Sequence, residues 1–536
     1  MTDKNTELEH EQVFDPLDMN NYKVEKLPKM EKSGFEKWMA RLGGPIAALV
    51  FILIYWIVDI PLFDNLDFSG LSAKAQARLS VIGEAAFIRA CYAMLAIFCA
   101  SIVLWITEAV QSYLTSLMVI LAIVLCGVTT QKEAFAQLGH PVMWLNILSF
   151  VLASMLVKTR AAKRFALWFV LKFGKNAAGI FFSFLVINVV LSMFISATTV
   201  KATILLPIFM VVAAIFGASQ GERNNFGRNL VLQNLFQVNI GASAFMTGSG
   251  ANLLAVSLMM GAYSSLNFGY TDWLAAGFPL AMILLLLGWF IGVKVIFPMK
   301  PEERKPQIEG GMNRLREELD AMGRMTIDEY KSIAIFVGVL LMWVTGEMHG
   351  IDETTVAFIG AIVALMPGIG VVKWNDVDIP WHLMLFSAGA YTLGSGLNAT
   401  DLPAILVDAG MNSLGITADT PFIVLYLLFT GLMLFSGLMF QSKTMRALIF
   451  IPIAIGVEQQ FGFPPLSLSF PVALLIEHVY VLPFNSKPAA LLYTTNHYSW
   501  SDTFKFGITM MLIAWVMIVV WGETVLNWLG YTPGLF

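Results

Sequence analysis

Four short stretches place polar side chains inside the long apolar runs: SATT at 196–199, MTGSGAN at 246–252, QSKT at 441–444 and PFNSKPA at 483–489. Each supplies hydroxyls, and the second pair adds two lysines. Hydroxyl and amide oxygens suit a hard cation such as sodium. Ammonium groups and hydroxyl donors suit a carboxylate. The residues on which this chemistry falls are Thr198, Thr199, Ser249, Asn252, Ser442, Lys443, Thr444, Ser486 and Lys487. An ionisable group at membrane depth is costly and reads as functional. The plainer account of the two lysines is a shallower position with the ammonium reaching to the interface. The hydroxyls have a plainer account as turn residues, but their repetition favours a site.

Two further cations follow the first and third stretches. Residues 199–208 read TVKATILLPI and residues 444–453 read TMRALIFIPI, with Lys201 and Arg446 in equivalent places. They are either supporting cations of the site or structural groups that cap freed carbonyls or pair with a buried acid such as Glu108 or Glu347. Glu477 and His478 form a candidate proton-coupling pair, although adjacent helical residues do not face the same way.

The elements that position these residues must lie in a membrane. Of 536 residues 57% are hydrophobic and only 13% charged, against about 25% charged in soluble domains, and the mean hydropathy is +0.72. No basic stripe points to nucleic acid, the three cysteines are scattered, and no histidine cluster has metal-ligand spacing. Residues 1–44 lack a signal-peptide pattern and read as a cytoplasmic tail carrying an interfacial helix at 35–42.

Spans that fit a hydrocarbon core of ~30 Å fall near 45–63, 92–109, 112–129, 141–157, 229–262, 272–297, 333–349, 354–372, 380–398, 465–495 and 504–530. The stretches 178–217 and 419–457 are too long, because a continuous 40-residue helix would reach ~60 Å. Each has its polar patch at the middle, so each is expected to fold back as a re-entrant hairpin. With the N-terminus inside, both lysine- and arginine-rich segments, 158–175 and 298–331, fall on the inner side, while 399–418 and 458–464 carry neither residue. That agrees with the positive-inside rule; the loop 64–91 is its weakest point.

The decamers are one of several echoes. WITE (105–108) returns as WVTGE (343–347), ASMLVKT (153–159) as GSGLNAT (394–400), and ANLL (251–254) as AALL (489–492). All are roughly 240 residues apart and in constant order, as internal repeats are. The division that follows is 1–44 tail, 45–91 first span and outer loop, 92–297 first repeat, 298–332 cytoplasmic connector and 333–536 second repeat. The two hairpins enter from opposite sides, and inverted repeats with broken helices meeting at mid-membrane are the pattern of a secondary transporter. No GxxxxGK[ST] loop supports ATP-driven transport, and no paired carboxylates or nucleophile elbow support an enzyme.

From about residue 92 onward the chain resembles the divalent anion–sodium symporter (DASS) family of dicarboxylate and citrate transporters. The resemblance is carried by Trp105–Ala109 (WITEA), by the tips before each Pro-Ile ending and by the two helix breaks. It implies an all-α polytopic fold of two inverted repeats, an elevator-type mechanism with scaffold and transport domains, a homodimer, a small organic anion as substrate and no cofactor. The family's Ser-Asn-Thr tips become Ala197-Thr198-Thr199 and Ser442-Lys443-Thr444. Its Thr-Pro-Pro-Asn-like turns become Ser249-Gly250-Ala251-Asn252 and Ser486-Lys487-Pro488-Ala489. Lys443 thus replaces an amide that would hold sodium with an ammonium that repels it. The expectation is sodium-independent exchange of dicarboxylates across the cell membrane. The alternatives are sodium symport through a surviving site of Thr198, Thr199, Ser249 and Asn252, and an anion channel.

Overall fold

Backbone groups in hydrocarbon have no water to bond, so a spanning chain closes its hydrogen bonds within helices. The computed structural model describes residues 15–23, 25, 34–64, 66, 68–218, 221, 223–263, 265–414, 420–440 and 442–536. Most of the tail at 1–14 and 26–33, and Gln441 of the second tip, lie outside them. Among the described residues the regular elements are all helices. Six helical segments among the described residues are long and apolar enough to cross a membrane: Lys37–Ile57, Glu84–Thr107, Gln131–Lys158, Thr198–Ile215, Tyr270–Ile296 and Trp500–Trp528.

Helix α1 (Gly34–Ile52) starts earlier than its apolar run and takes in the segment expected to lie at the interface. Two parallel series of helices follow. The first is α2 (Glu84–Thr107), α3 (Ser112–Leu125), α4 (Pro141–Lys158), α5 (Ala161–Phe173), α6 (Ala177–Phe194), α7 (Thr198–Ile215), α8 (Asn225–Ser243), α9 (Gly250–Ala262) and α10 (Tyr270–Phe290). After a connector helix α11 (Gly311–Ala321) come α12 (Ile327–Val344), α13 (Glu353–Leu365), α14 (Trp381–Thr400), α15 (Leu402–Leu414), α16 (Phe422–Ser436), α17 (Lys443–Phe461), α18 (Ser469–Leu474), α19 (Lys487–Tyr493) and α20 (Trp500–Glu523).

The sequence echoes mark equivalent joints in the two series. Trp105 closes α2 by donating from Nε1 to the Ser112 carbonyl at 3.3 Å, and Trp343 closes α12 by donating to the Glu353 carbonyl at 3.0 Å. The turn after α4 passes through Arg160 at φ 61°, and the turn after α14 through Asp401 at φ 53°. A left-handed residue there is a common way to end a helix. Ser249 caps α9 by accepting from the Asn252 N–H, and Ser486 caps α19 by accepting from the Ala489 N–H, both at 3.3 Å. An N-cap oxygen satisfies one of the free donors of a helix start, so these small motifs recur because the same joints recur.

Packing between the series is reciprocal. Helix α3 packs on α14, and its counterpart α13 packs on α4; α9 packs on α17, and α19 packs on α7. Exchange of partners of this kind is what a pseudo-two-fold arrangement produces.

Both overlong stretches break where the polar patches lie. Helix α6 ends at Phe194 and α7 begins at Thr198, while α16 ends at Ser436 and α17 begins at Lys443. The first break, between α8 and α9, is a short 3-10 turn at Met246–Gly248. The second is far more open, since 475–486 contains no helix between α18 and α19. At one end of the molecule α11 and α12 clasp the first series. Lys163 Nζ lies 3.0 Å from Glu318, and Arg164 donates from Nε to Glu329 at 2.5 Å and to the carbonyls of Met322 and Gly323. Met19 and Tyr22 of the N-terminal segment are buried, and their short helix packs against α7.

Candidate functional site

Helix α17 begins at the second tip, where Ser442 caps it by accepting from the Met445 N–H at 3.3 Å. That cap places Lys443 in the first turn with its ammonium pointing across the molecule. Lys443 Nζ donates to Glu477 Oε2 at 2.5 Å, to Thr198 Oγ1 at 3.3 Å and to Asn239 Oδ1 at 3.5 Å. Thr198 opens α7 at the first tip, so one ammonium joins the two tips. Asn239 comes from α8. Glu477 comes from the unwound segment between α18 and α19, and its second oxygen, Oε1, accepts from Ser249 Oγ at 2.5 Å. Both tips and both breaks therefore meet on one lysine–glutamate pair. Glu477 is fully buried, while the Lys443 side chain keeps 14% exposure, which leaves the ammonium the more reachable partner.

Lys201 and Arg446 stand one turn further along their helices, both fully buried. Lys201 Nζ donates to Ser192 Oγ at 2.8 Å, and Arg446 Nε donates to Ser436 Oγ at 3.0 Å. Each cation thus binds a serine on the preceding arm of its own hairpin, nine residues back for Lys201 and ten for Arg446. Arg446 also donates to the carbonyls of Ile476 at 3.2 Å, His478 at 3.4 Å and Met433. It is a carbonyl cap that holds the unwound segment on either side of Glu477. Glu108 and Glu347, the other partners considered for these cations, are exposed.

A family model for the sodium:sulfate symporter transmembrane region matches residues 86–532. The chain belongs to the sodium:sulfate symporter family. It is a multi-pass membrane transporter of the divalent anion–sodium symporter kind, not an enzyme. The matched region takes in both helix series, both tips and both breaks, and leaves α1 outside. A membrane protein of Cupriavidus necator is 26% identical over 459 residues, covering 82% of this chain and 88% of that one. The sodium-dependent dicarboxylate transporter SdcS of Staphylococcus saprophyticus is 24% identical over 438 residues, covering 78% and 82%. The SdcS of Staphylococcus aureus strain USA300 is 24% identical over 442 residues, with the same coverage. The solved YdaH transporter of Alcanivorax borkumensis aligns over 93% of this chain and 99% of its own at a TM-score of 0.50 and 15% identity, a likeness of fold alone.

Within this sodium:sulfate symporter family member the remaining candidates divide. Thr199 and Thr444 are half-buried and make no side-chain hydrogen bond among the described residues. Ser486 is buried, caps α19 and donates to the Val479 carbonyl at 3.1 Å, away from Lys443. Lys487 is exposed and stands outside the cluster. The oxygens considered for sodium are largely engaged: Thr198 accepts from Lys443, and Ser249 donates to Glu477. Asn252 stitches the first break by donating to the carbonyls of Ala242 and Phe245, both at 3.0 Å. Its Oδ1 is buried with no partner among the described residues.

The sequence reading offers Glu477 and His478 as a candidate proton-coupling pair, against a plainer account in which they face a dimer partner or the lipid headgroups. In the structure the two turn apart: His478 Nδ1 meets Tyr480 Oη at 2.8 Å, while Glu477 faces Lys443. Asn239 is a site residue that the sequence reading misses. Its signal is present, because α8 carries Asn229, Gln233, Asn234, Gln237 and Asn239 inside an apolar stretch and all five are buried.

Proposed function

We propose that the protein exchanges small dicarboxylates across the cell membrane independently of sodium, with Lys443 as the substrate anchor. The observation that carries this reading is the Lys443 ammonium at the junction of both hairpin tips. A tethered ammonium does there what a bound sodium ion would do, and it stays when the substrate leaves. The charge balance agrees. Among the described residues Lys443 bonds the carboxylate of Glu477 directly, and Arg446 bonds the carbonyls on either side of it. The two hairpins bring three basic side chains and one carboxylate to this centre, which favours an anionic substrate. A sodium ion at 4 Å from one of these cations would be repelled by about 4 kcal/mol at an effective dielectric of ~20. The SdcS relatives, named as dicarboxylate transporters, support the substrate class; their sodium dependence is what the Lys443 replacement argues against.

The candidate substrate residues are Thr198, Thr199, Asn252, Ser442, Lys443, Thr444, Ser486 and Lys487, with Lys201 and Arg446 in support. A homodimer, a cytoplasmic N-terminus and elevator movement of the hairpin-bearing part belong to the same reading, as do repeats at 92–297 and 333–536. The reciprocal packing of the two series supports the repeats. Sodium symport is the second reading, favoured by the unpartnered Asn252 Oδ1. Counterflow of labelled succinate in proteoliposomes, with and without sodium, separates the two. Uptake that needs an inward sodium gradient and no internal anion would sink exchange, and a conductance far above carrier turnover would indicate a channel.

A further inference from the structure

The exchange reading gives Lys443 to the substrate, yet in this structure Lys443 already holds a carboxylate. Glu477 presents the same group that a dicarboxylate would bring, bound by an ammonium at 2.5 Å and by a hydroxyl from Ser249 at 2.5 Å. It is fully buried, and among the described residues every cation near it comes from the two hairpins: Lys443 and Arg446 from α17 and Lys201 from α7. Ser249, Asn239 and Thr198 are neutral groups facing the pair, and His478 on its own segment is turned to Tyr480.

The backbone around Glu477 is fixed independently of its side chain. Residues 475–486 are not helical and are held instead by turn hydrogen bonds, the Glu477 carbonyl accepting from the Val479 N–H at 2.9 Å. Arg446 holds the carbonyls of Ile476 and His478, the residues on either side. The peptide frame is thereby pinned on both sides of the carboxylate.

We propose that Glu477 is an internal counter-ion that occupies Lys443 in the empty carrier and is displaced by the substrate carboxylate, so that its charge governs how readily the carrier returns without cargo. An unpaired buried ammonium is costly to carry through a low-dielectric interior. With Glu477 in place the empty carrier meets no such penalty at Lys443, and return without cargo is permitted alongside exchange. The inference rests on Lys443 being the substrate anchor.

The test is Glu477→Gln in the full-length protein, reconstituted in proteoliposomes with radiolabelled succinate as probe. Glutamine keeps the size and a hydrogen bond to Ser249 but loses the charge. The expected result is a shift of roughly tenfold or more in the ratio of counterflow to net uptake into anion-free vesicles, in favour of counterflow. Succinate should also bind more tightly, because no internal carboxylate competes. Glu477→Asp, which draws the carboxylate back from Lys443, should shift the ratio the same way by less, and it stands in if the glutamine variant is not recovered as a monodisperse protein. An unchanged ratio with counterflow intact overturns the counter-ion role alone. Absence of succinate counterflow in the wild type overturns the dicarboxylate reading and this inference with it.

Discussion

Replacing Lys443 by alanine tests the centre of the site. The substitution removes the group that bonds Glu477, Thr198 and Asn239 together. Two effects follow, and they are separable. Stability falls because a buried carboxylate loses its ion-pair partner, a change that costs about 3–5 kcal/mol when the other charge stays unpaired. The remaining bond of Glu477 to Ser249 limits that loss. Ligand binding falls because a hydrogen bond to a charged group is worth about 1.5–3 kcal/mol, or roughly 10- to 150-fold in affinity. Thermal shift in detergent reads both effects. At a hundredfold excess of succinate over Kd the wild type gains about 2.7 kcal/mol. A variant with hundredfold weaker affinity sits at its Kd under the same conditions and gains only about 0.4 kcal/mol. Lys443→Asn sharpens the test. It restores a tip amide and leaves the oxygens of Thr198 and Glu477 without a cation, so sodium should now stabilise the protein. Full succinate stabilisation in both variants would remove Lys443 from the substrate site.

Arg446→Met should lower thermal stability by about 3 kcal/mol or more, since it leaves the carbonyls of Met433, Ile476 and His478 unpaired at about 1–3 kcal/mol each; Arg446→Lys should recover part of the melting temperature. Glu458→Ala should have a similar cost. This fully buried carboxylate accepts from the backbone N–H groups of Leu468 and Ser469, both at 2.6 Å, and from Tyr263 Oη at 2.7 Å. Size-exclusion monodispersity and melting temperature check it, and an unchanged melting temperature would show that water replaces the clamp. Glu329 predicts an acid limb at the connector. Burial raises its carboxyl, but the Arg164 guanidinium and the Thr326 N–H outweigh that effect and hold it below the ordinary range. Its contribution is complete above the unfolded value of about 4.3 and is lost as pH falls through the lower folded value. Melting curves between pH 3 and 7 should therefore be flatter for Glu329→Gln than for the wild type.

Much of the architecture was legible because it is written in local chemistry. A 40-residue apolar stretch with a polar middle cannot be one helix in a bilayer, and both such stretches break at their polar patches. The echoes were legible because each is a joint with a fixed demand. Trp105 and Trp343 staple the next helix, and Ser249 and Ser486 cap one. Lys443 and Thr198 were found together for the same reason, since each opens the returning arm of a hairpin. Lys487 shows the limit of this logic: it occupies a break, and the fold turns it to the surface. Ser486 is likewise a cap before it is anything else.

The sequence by itself determined that this is an all-helical membrane carrier with two related halves and a lysine at one tip. Length, charge poverty and repeated joints impose those features without long-range information. Only the tertiary structure decided what that lysine meets. Glu477 lies 34 residues beyond Lys443, and Ser249 lies 228 residues before Glu477, and a single acid in an apolar run reads the same whether it faces lipid headgroups or a buried ammonium. The difference is a matter of desolvation. A carboxylate is stable at full burial only with its oxygens satisfied, and which donors come within 2.5 Å of it is settled by packing, when two halves of one chain close around a common centre.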